Sequence, residues 1–208
     1  MDDNDRKERL ELVAAIVLTV ATVLTAWSAF QATKWSGFMS IRFSEANAAR
    51  TESVRASNAA GQLRIIDVTI FADWLQALAQ GETELQEFLE QRFRDELDPA
   101  FEAWRATEPR TNPDAPPSPF AMSEYQLADE QRSDELAAEA DLRSRQARQA
   151  NQRADNYVLT TVLFAAVLFF AGVSSKFTML RNRAIAVATA VVILISGAVI
   201  LATFPVEI

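Results

Sequence analysis

Three stretches of this chain carry no Asp, Glu, Lys or Arg: Leu12 to Thr33, Tyr157 to Ser175 and Ala184 to Val206. No other feature restricts the fold as much. As α-helix, 19 to 23 residues rise far enough to cover the ~30 Å hydrocarbon core of a bilayer. Uninterrupted apolar runs of that length read as transmembrane helices. The expectation is an all-α membrane protein with three transmembrane helices, and a helical stalk and small head outside the membrane, inserted between the first and second spans. The expected segments are a tail at 1–11, helix one at 12–33, stalk and head at 34–156, helix two at 157–175, a short basic loop at 176–183, helix three at 184–206 and a tail at 207–208. A mean hydropathy of zero conceals this pattern, because the apolar runs are averaged with a polar middle.

The first span offers two distinct faces. Ile16, Val20, Val23, Trp27 and Phe30 repeat at spacings of four and three and form a bulky stripe. Ala15, Thr19, Thr22, Ala26, Ala29 and Thr33 form a stripe of small residues. Small residues let a second helix approach closely, and the same hydroxyl-bearing face could line a pore. Trp35 follows the span and Tyr157 opens the next, so both are expected at one membrane face as interfacial aromatics.

Residues 34–156 hold 14 of the 20 basic and 22 of the 28 acidic side chains, a net charge of −8. So acidic a region argues against nucleic acid as a partner. Within it, Ala46, Ala49, Ser53, Ala56, Ala60 and Leu63 alternate three and four apart, as do Leu136, Ala140, Arg143, Ala147, Ala150, Ala154 and Tyr157. These heptad stripes of small residues abut the first and second spans and predict an antiparallel coiled-coil stalk. Alanine buries little area, so neighbouring subunits are expected to complete it.

Beyond about Leu63 the composition turns apolar, from Ile65 to Leu78, with Gly81 as a stop. Glu82 to Arg94 predicts an amphipathic helix with Leu85, Phe88, Leu89 and Phe93 on one face. Pro99 is expected to end or kink it, and Phe101 and Trp104 to sit on a short further helix. The prolines at 109, 113, 116, 117 and 119 predict an extended, solvated connector, and Ser123 with Gln126 a capping box that opens the descending helix.

Orientation follows the basic residues. Lys176, Arg181 and Arg183 in the tight loop, with Arg6, Lys7 and Arg9, place the N-terminus and the loop in the cytoplasm and 34–156 outside. Ala26-Trp27-Ser28 resembles a signal-peptidase site, but the apolar run is too long for a cleaved leader, so an uncleaved anchor is expected. Arg143, Arg145, Arg148 and Arg153 lie near the other face, where they can touch lipid headgroups or pair with Asp141, Asp155, Glu45 and Glu52.

The chain has no His and no Cys. That removes Ser-His-Asp catalysis, a thiolate nucleophile, imidazole or thiolate metal sites, and haem held by His or Cys. Five scattered glycines make no phosphate loop, and no Asp-x-Asp-x-Asp-Gly calcium loop is present. The uncharged spans lack the usual mark of proton coupling or voltage sensing. Neither an enzyme nor a cofactor is expected.

The first span running into Ser44-Glu45-Ala46-Asn47-Ala48-Ala49-Arg50, then a long charged helical region, then two closing spans joined by a basic turn, resembles a family of uncharacterised bacterial multi-pass membrane proteins with a domain of unknown function. The Pro-rich connector and the Trp-containing head depart from that pattern. The resemblance implies no activity and no functional residue. The leading functional expectation is a homo-oligomeric structural or interaction module of the bacterial cytoplasmic membrane, in contact with lipid and offering its head to a protein partner. Small residues Ala186, Ala190 and Gly197 on the third span add a second association face. The alternative is a homo-oligomeric channel lined by the small face of helix one, with an acidic vestibule favouring cations.

Overall fold

The structure is a computed structural model that describes residues 3–207. Met1, Asp2 and Ile208, the ends of the two expected tails, lie outside the described residues. Among those described, every regular element is helical: α1 Asp3–Gln80, α2 Thr83–Glu90, α3 Asp98–Ala106, a 3₁₀ turn at Pro119–Ala121, α4 Ala128–Ser174 and α5 Leu180–Ala202. Helices α1, α4 and α5 are each long and apolar enough to cross a membrane. The chain divides into two compact units, Met1–Ser44 with Arg143–Ile208, and Glu45–Leu142, so α1 and α4 each contribute a segment to both.

The first unit packs three helices through small residues. Ala14, Val17, Ala21, Ser28, Gln31, Ala32 and Trp35 of α1 are buried, as are Ala150, Ala154, Tyr157, Thr160, Phe164, Val167 and Ala171 of α4. The α4 set recurs every three or four residues and the α1 set at three, four or seven, with Gln31 and Ala32 adjacent, which keeps one stripe of each helix on the shared interface. Ala186, Val187, Ala190 and Gly197 of α5 are also buried. A Cβ on Gly197 would lie 2.9 Å from the ring of Phe164, so only glycine lets the two elements approach this closely. The small face of the third span is therefore occupied within the chain, which withdraws Ala186, Ala190 and Gly197 from association with other subunits. Helix α5 stops at Ala202, four residues short of the expected span end, and Thr203 to Val206 leave the helix.

In the second unit, α1 and α4 run antiparallel. Ser53 Oγ donates to the Ser133 carbonyl at 2.9 Å, Arg64 pairs with Glu130 at 2.7 Å, and Arg50 meets Asp141 at 3.5 Å. Helix α1 continues past Leu63 to Gln80, where Gly81, at φ +74°, turns the chain. Gly81 N–H donates to the Leu78 carbonyl and Glu82 N–H to that of Ala77, the bond pair of a Schellman stop.

Several local expectations are corrected here. The amphipathic helix at 82–94 is only α2, and Leu85 and Phe88 on its apolar face are exposed. The Phe88 ring instead lies under the Arg92 guanidinium, 3.4 Å away. Pro99 neither ends nor kinks a helix. It sits in the first turn of α3, where its missing N–H has no intrahelical partner to lose. The connector is not extended: hydrogen bonds from Thr111 and Asn112 N–H to the Glu108 carbonyl make it a series of turns, and Pro119 is buried. No capping box forms, because α4 starts at Ala128 while Ser123 Oγ turns to Glu124 and Gln126 Nε2 to the Ser123 carbonyl.

Candidate functional site

Helix α1 places its three stripes differently from one another. The buried stripe running from Ala14 to Trp35 meets the rest of the first unit. Ala15, Thr19, Thr22, Ala26, Ala29 and Thr33 are all exposed, and so is the bulky stripe of Ile16, Val20, Val23, Trp27 and Phe30. The hydroxyls of Thr19, Thr22 and Thr33 donate to the carbonyls of Ala15, Leu18 and Ala29 at 2.9, 2.8 and 3.0 Å. Each hydroxyl proton is spent on its own helix, so the small face presents methyl groups and oxygen lone pairs at low relief.

Two polar residues inside the first apolar run carry internal bonds that its hydropathy does not disclose. Ser28 and Gln31 are fully buried. Ser28 Oγ lies 3.0 Å from Thr160 Oγ1, a contact between α1 and α4. Gln31 makes a reciprocal pair with the chain end: its Nε2 donates to the Glu207 carbonyl at 3.1 Å, and Glu207 N–H donates to its Oε1 at 2.9 Å. Trp35 Nε1 and Tyr157 OH both donate to the Pro205 carbonyl, each at 3.1 Å. Trp35 and Tyr157 do lie together, but buried within the chain, holding the segment after α5 and not facing outward as interfacial anchors. Their ring N–H and O–H need a partner once buried, and the helix-free carbonyls past Ala202 supply it. A glutamine in an apolar run was the one available signal, since an unpaired amide there is costly.

The small-residue stripes expected to form a stalk fall on buried or half-buried positions, divided between the units. Ala46, Ser53, Ala56, Ala60 and Ala140 are buried in the second unit, with Ala49 and Leu136 half-buried. Ala147, Ala150 and Ala154 are buried in the first. Of the four arginines near them, Arg145 and Arg148 are exposed and Arg143 is half-buried. Arg153 is half-buried and stacks over the Trp35 ring at 4.4 Å, a cation–π contact.

The second unit holds an aromatic cluster around Phe101, whose ring meets those of Phe71, Trp74 and Phe93 edge-on at 6.4, 4.8 and 4.9 Å. Trp104 and Phe120 close on Phe71 edge-on at 5.3 and 5.6 Å. Trp104 Nε1 donates to the Pro116 carbonyl at 2.8 Å, which ties the proline-rich segment to the cluster. Beside these rings, Trp74, Glu90, Trp104, Arg105 and Arg110 line an open groove of about 410 Å³. Trp74 Nε1 donates to Glu90 at 2.8 Å, Arg105 Nη1 reaches Glu90 at 3.4 Å, and Arg105 Nη2 donates to both Glu102 oxygens at 2.6 and 2.8 Å, so the Glu90 and Arg105 charges at this groove are matched within the chain.

Under the cluster Asp67 is fully buried on α1. Its Oδ2 accepts from Arg94 Nη1 at 3.0 Å and from Tyr125 OH at 2.9 Å, while Oδ1 has no partner. Burial raises the Asp67 carboxyl above its ordinary 3.8, against the lowering effects of the Tyr125 hydrogen bond and the Arg94 charge. The Tyr125 phenol is pushed up to about 12, first by burial and then by its bond to Asp67. This triad joins α1, the turn after α2 and the segment before α4. Among the described residues no group of three or more His, Cys, Asp or Glu is placed to hold a metal ion.

Comparison of the chain with protein-family models, with curated proteins and with solved structures returns no match.

Proposed function

We propose that this protein is a non-enzymatic membrane module that self-associates through the small face of α1. One observation carries the reading: Ala15, Thr19, Thr22, Ala26, Ala29 and Thr33 stay exposed while a different stripe of the same helix packs inside the chain. In lipid no hydrophobic force drives helices together, so association depends on close packing, which small side chains permit. Hydroxyls already bonded to their own helix favour such a dry contact over a pore wall, where they would face water. The site of action is the bacterial cytoplasmic membrane. Arg6, Lys7, Arg9 and the basic turn before α5 lie in the cytoplasm by the positive-inside rule, and the second unit, which carries no span, lies outside as a helical stalk and head open to a protein partner.

The test is a subunit count by native mass spectrometry from lipid nanodiscs, for the parent chain and for Thr22→Leu and Ala26→Leu. An oligomer that falls to monomers with either leucine supports the reading. A monomeric parent overturns it. An oligomer that keeps its subunit count with leucine but loses ion conductance in bilayer recordings overturns it too, in favour of a pore lined by this face.

A further inference from the structure

The start of α1 and the start of α5 enclose an open groove of about 670 Å³, lined by Arg6, Arg9, Leu10, Leu180, Arg181 and Ala184. Three arginines line it, and among the described residues no ion pair is formed by any of the three. A neighbouring arginine behaves otherwise. Arg183 is buried and bonds Glu11 at 2.9 Å, a contact that fixes the start of α5 beside α1. The acids of the same α1 turns are not part of the groove: Asp5 and Glu8 do not line it, and Glu11 is taken by Arg183. The remaining lining is hydrocarbon, from Leu10, Leu180 and Ala184. Leu12, two residues after Leu10, opens the first uncharged run.

A ligand for this groove must combine a compact anion with an apolar body, at the level where the apolar run begins. Arginine forks match phosphate oxygens in bidentate geometry, and basic pockets between membrane helices take anionic headgroups. We propose that this groove binds an anionic phospholipid, with Arg6, Arg9 and Arg181 on the phosphate and Leu10, Leu180 and Ala184 along the start of an acyl chain. The proposal rests on the reading of α1, α4 and α5 as membrane spans. It does not depend on self-association.

Delipidated protein in non-ionic detergent, titrated with phosphatidylglycerol or with phosphatidylcholine of the same chains and followed by native mass spectrometry, tests it. Phosphatidylglycerol should bind about tenfold or more tighter. The double variant Arg9→Gln/Arg181→Gln should lose that preference, at about fivefold per charge removed. Both side chains are exposed, so the fold does not depend on them. Arg55→Gln/Arg132→Gln, exposed in the second unit, should leave it intact. Equal binding of the two lipids overturns the proposal without any variant, as does an equal loss in the second-unit control. Full displacement of phosphatidylglycerol by equimolar glycerol 3-phosphate overturns it as a lipid site and leaves a headgroup-sized anion site. Carbonate extraction of membranes separates the two layers of the argument. A chain that stays in the membrane but shows no lipid preference refutes the groove alone, whereas a chain that is washed out refutes the spans and the groove together.

Discussion

The two units solve the packing problem with opposite materials. In the unit that carries the three apolar helices, the α1 face in contact sets Ala14, Ala21, Ser28 and Ala32 beside Val17, Gln31 and Trp35, and Gly197 admits the Phe164 ring. In the other unit, short helices and turns surround Phe71, Trp74, Phe93, Phe101 and Trp104. Long helices satisfy their own backbones and can gain stability by close approach, which small residues allow. Two helices of eight and nine residues cannot stand on their own hydrogen bonds, and need a large buried area for each residue ordered. Side-chain size thus tracks how much of the stability each helix supplies from its own backbone.

The strongest attempt to break this contrast is Phe101→Ala. Phe101 is 1% exposed and touches four other rings, so its loss should cost about 3–5 kcal/mol. In a Trp27→Phe/Trp35→Phe background, where the remaining tryptophans Trp74 and Trp104 both belong to the second unit, thermal melts read by near-UV circular dichroism should show the tryptophan signal lost early while far-UV helicity from the apolar helices persists. If both signals fall together, the two units are one cooperative structure and the comparison fails. The converse test is Gly197→Ala. A single methyl group meets the fully buried Phe164 ring, and overpacking of this kind costs about 1–3 kcal/mol. In the same Trp27→Phe/Trp35→Phe background, the far-UV melt should move and the near-UV melt of Trp74 and Trp104 should stay. No change in either would show that Phe164 has room to yield.

The smallest expected effect sharpens the second unit alone. Because burial raises the folded-state Asp67 carboxyl above 3.8, the native chain keeps a proton at pH values where the unfolded chain has released it. Stability should therefore rise as pH falls from above the folded pKa toward 3.8, and level off below that. Subtracting the profile of Asp67→Asn isolates this contribution from the other carboxylates. A difference of the opposite slope would mean that Arg94 and Tyr125 outweigh burial, and that the triad is an ion pair first.

Much of the second unit was legible residue by residue. Gly81 stops α1 because only a residue tolerant of φ +74° can make that turn, and Phe101 with Trp104 do share a short helix. The cover of the expected apolar face was not legible, since amphipathic spacing cannot say how much of it a neighbour buries: Leu89 and Phe93 join the aromatic cluster, while Leu85 and Phe88 stay exposed. The proline-rich segment misled for the same reason: prolines favour an extended chain until buried rings and a tryptophan N–H offer it contacts.

The amino-acid sequence by itself determined that three helices are long and apolar enough to cross a membrane, because hydropathy and backbone satisfaction are local properties of each run. Which face of α1 turns inward was decided only by tertiary structure. A helix that is apolar all round has no preferred rotation of its own, and two plausible stripes were visible along it. The choice fell on neither, but on Ala14, Val17, Ala21, Ser28, Gln31 and Trp35. There Gln31 and Trp35 find the backbone of residues 205 to 207, and Ser28 finds Thr160, partners more than a hundred residues away in the chain.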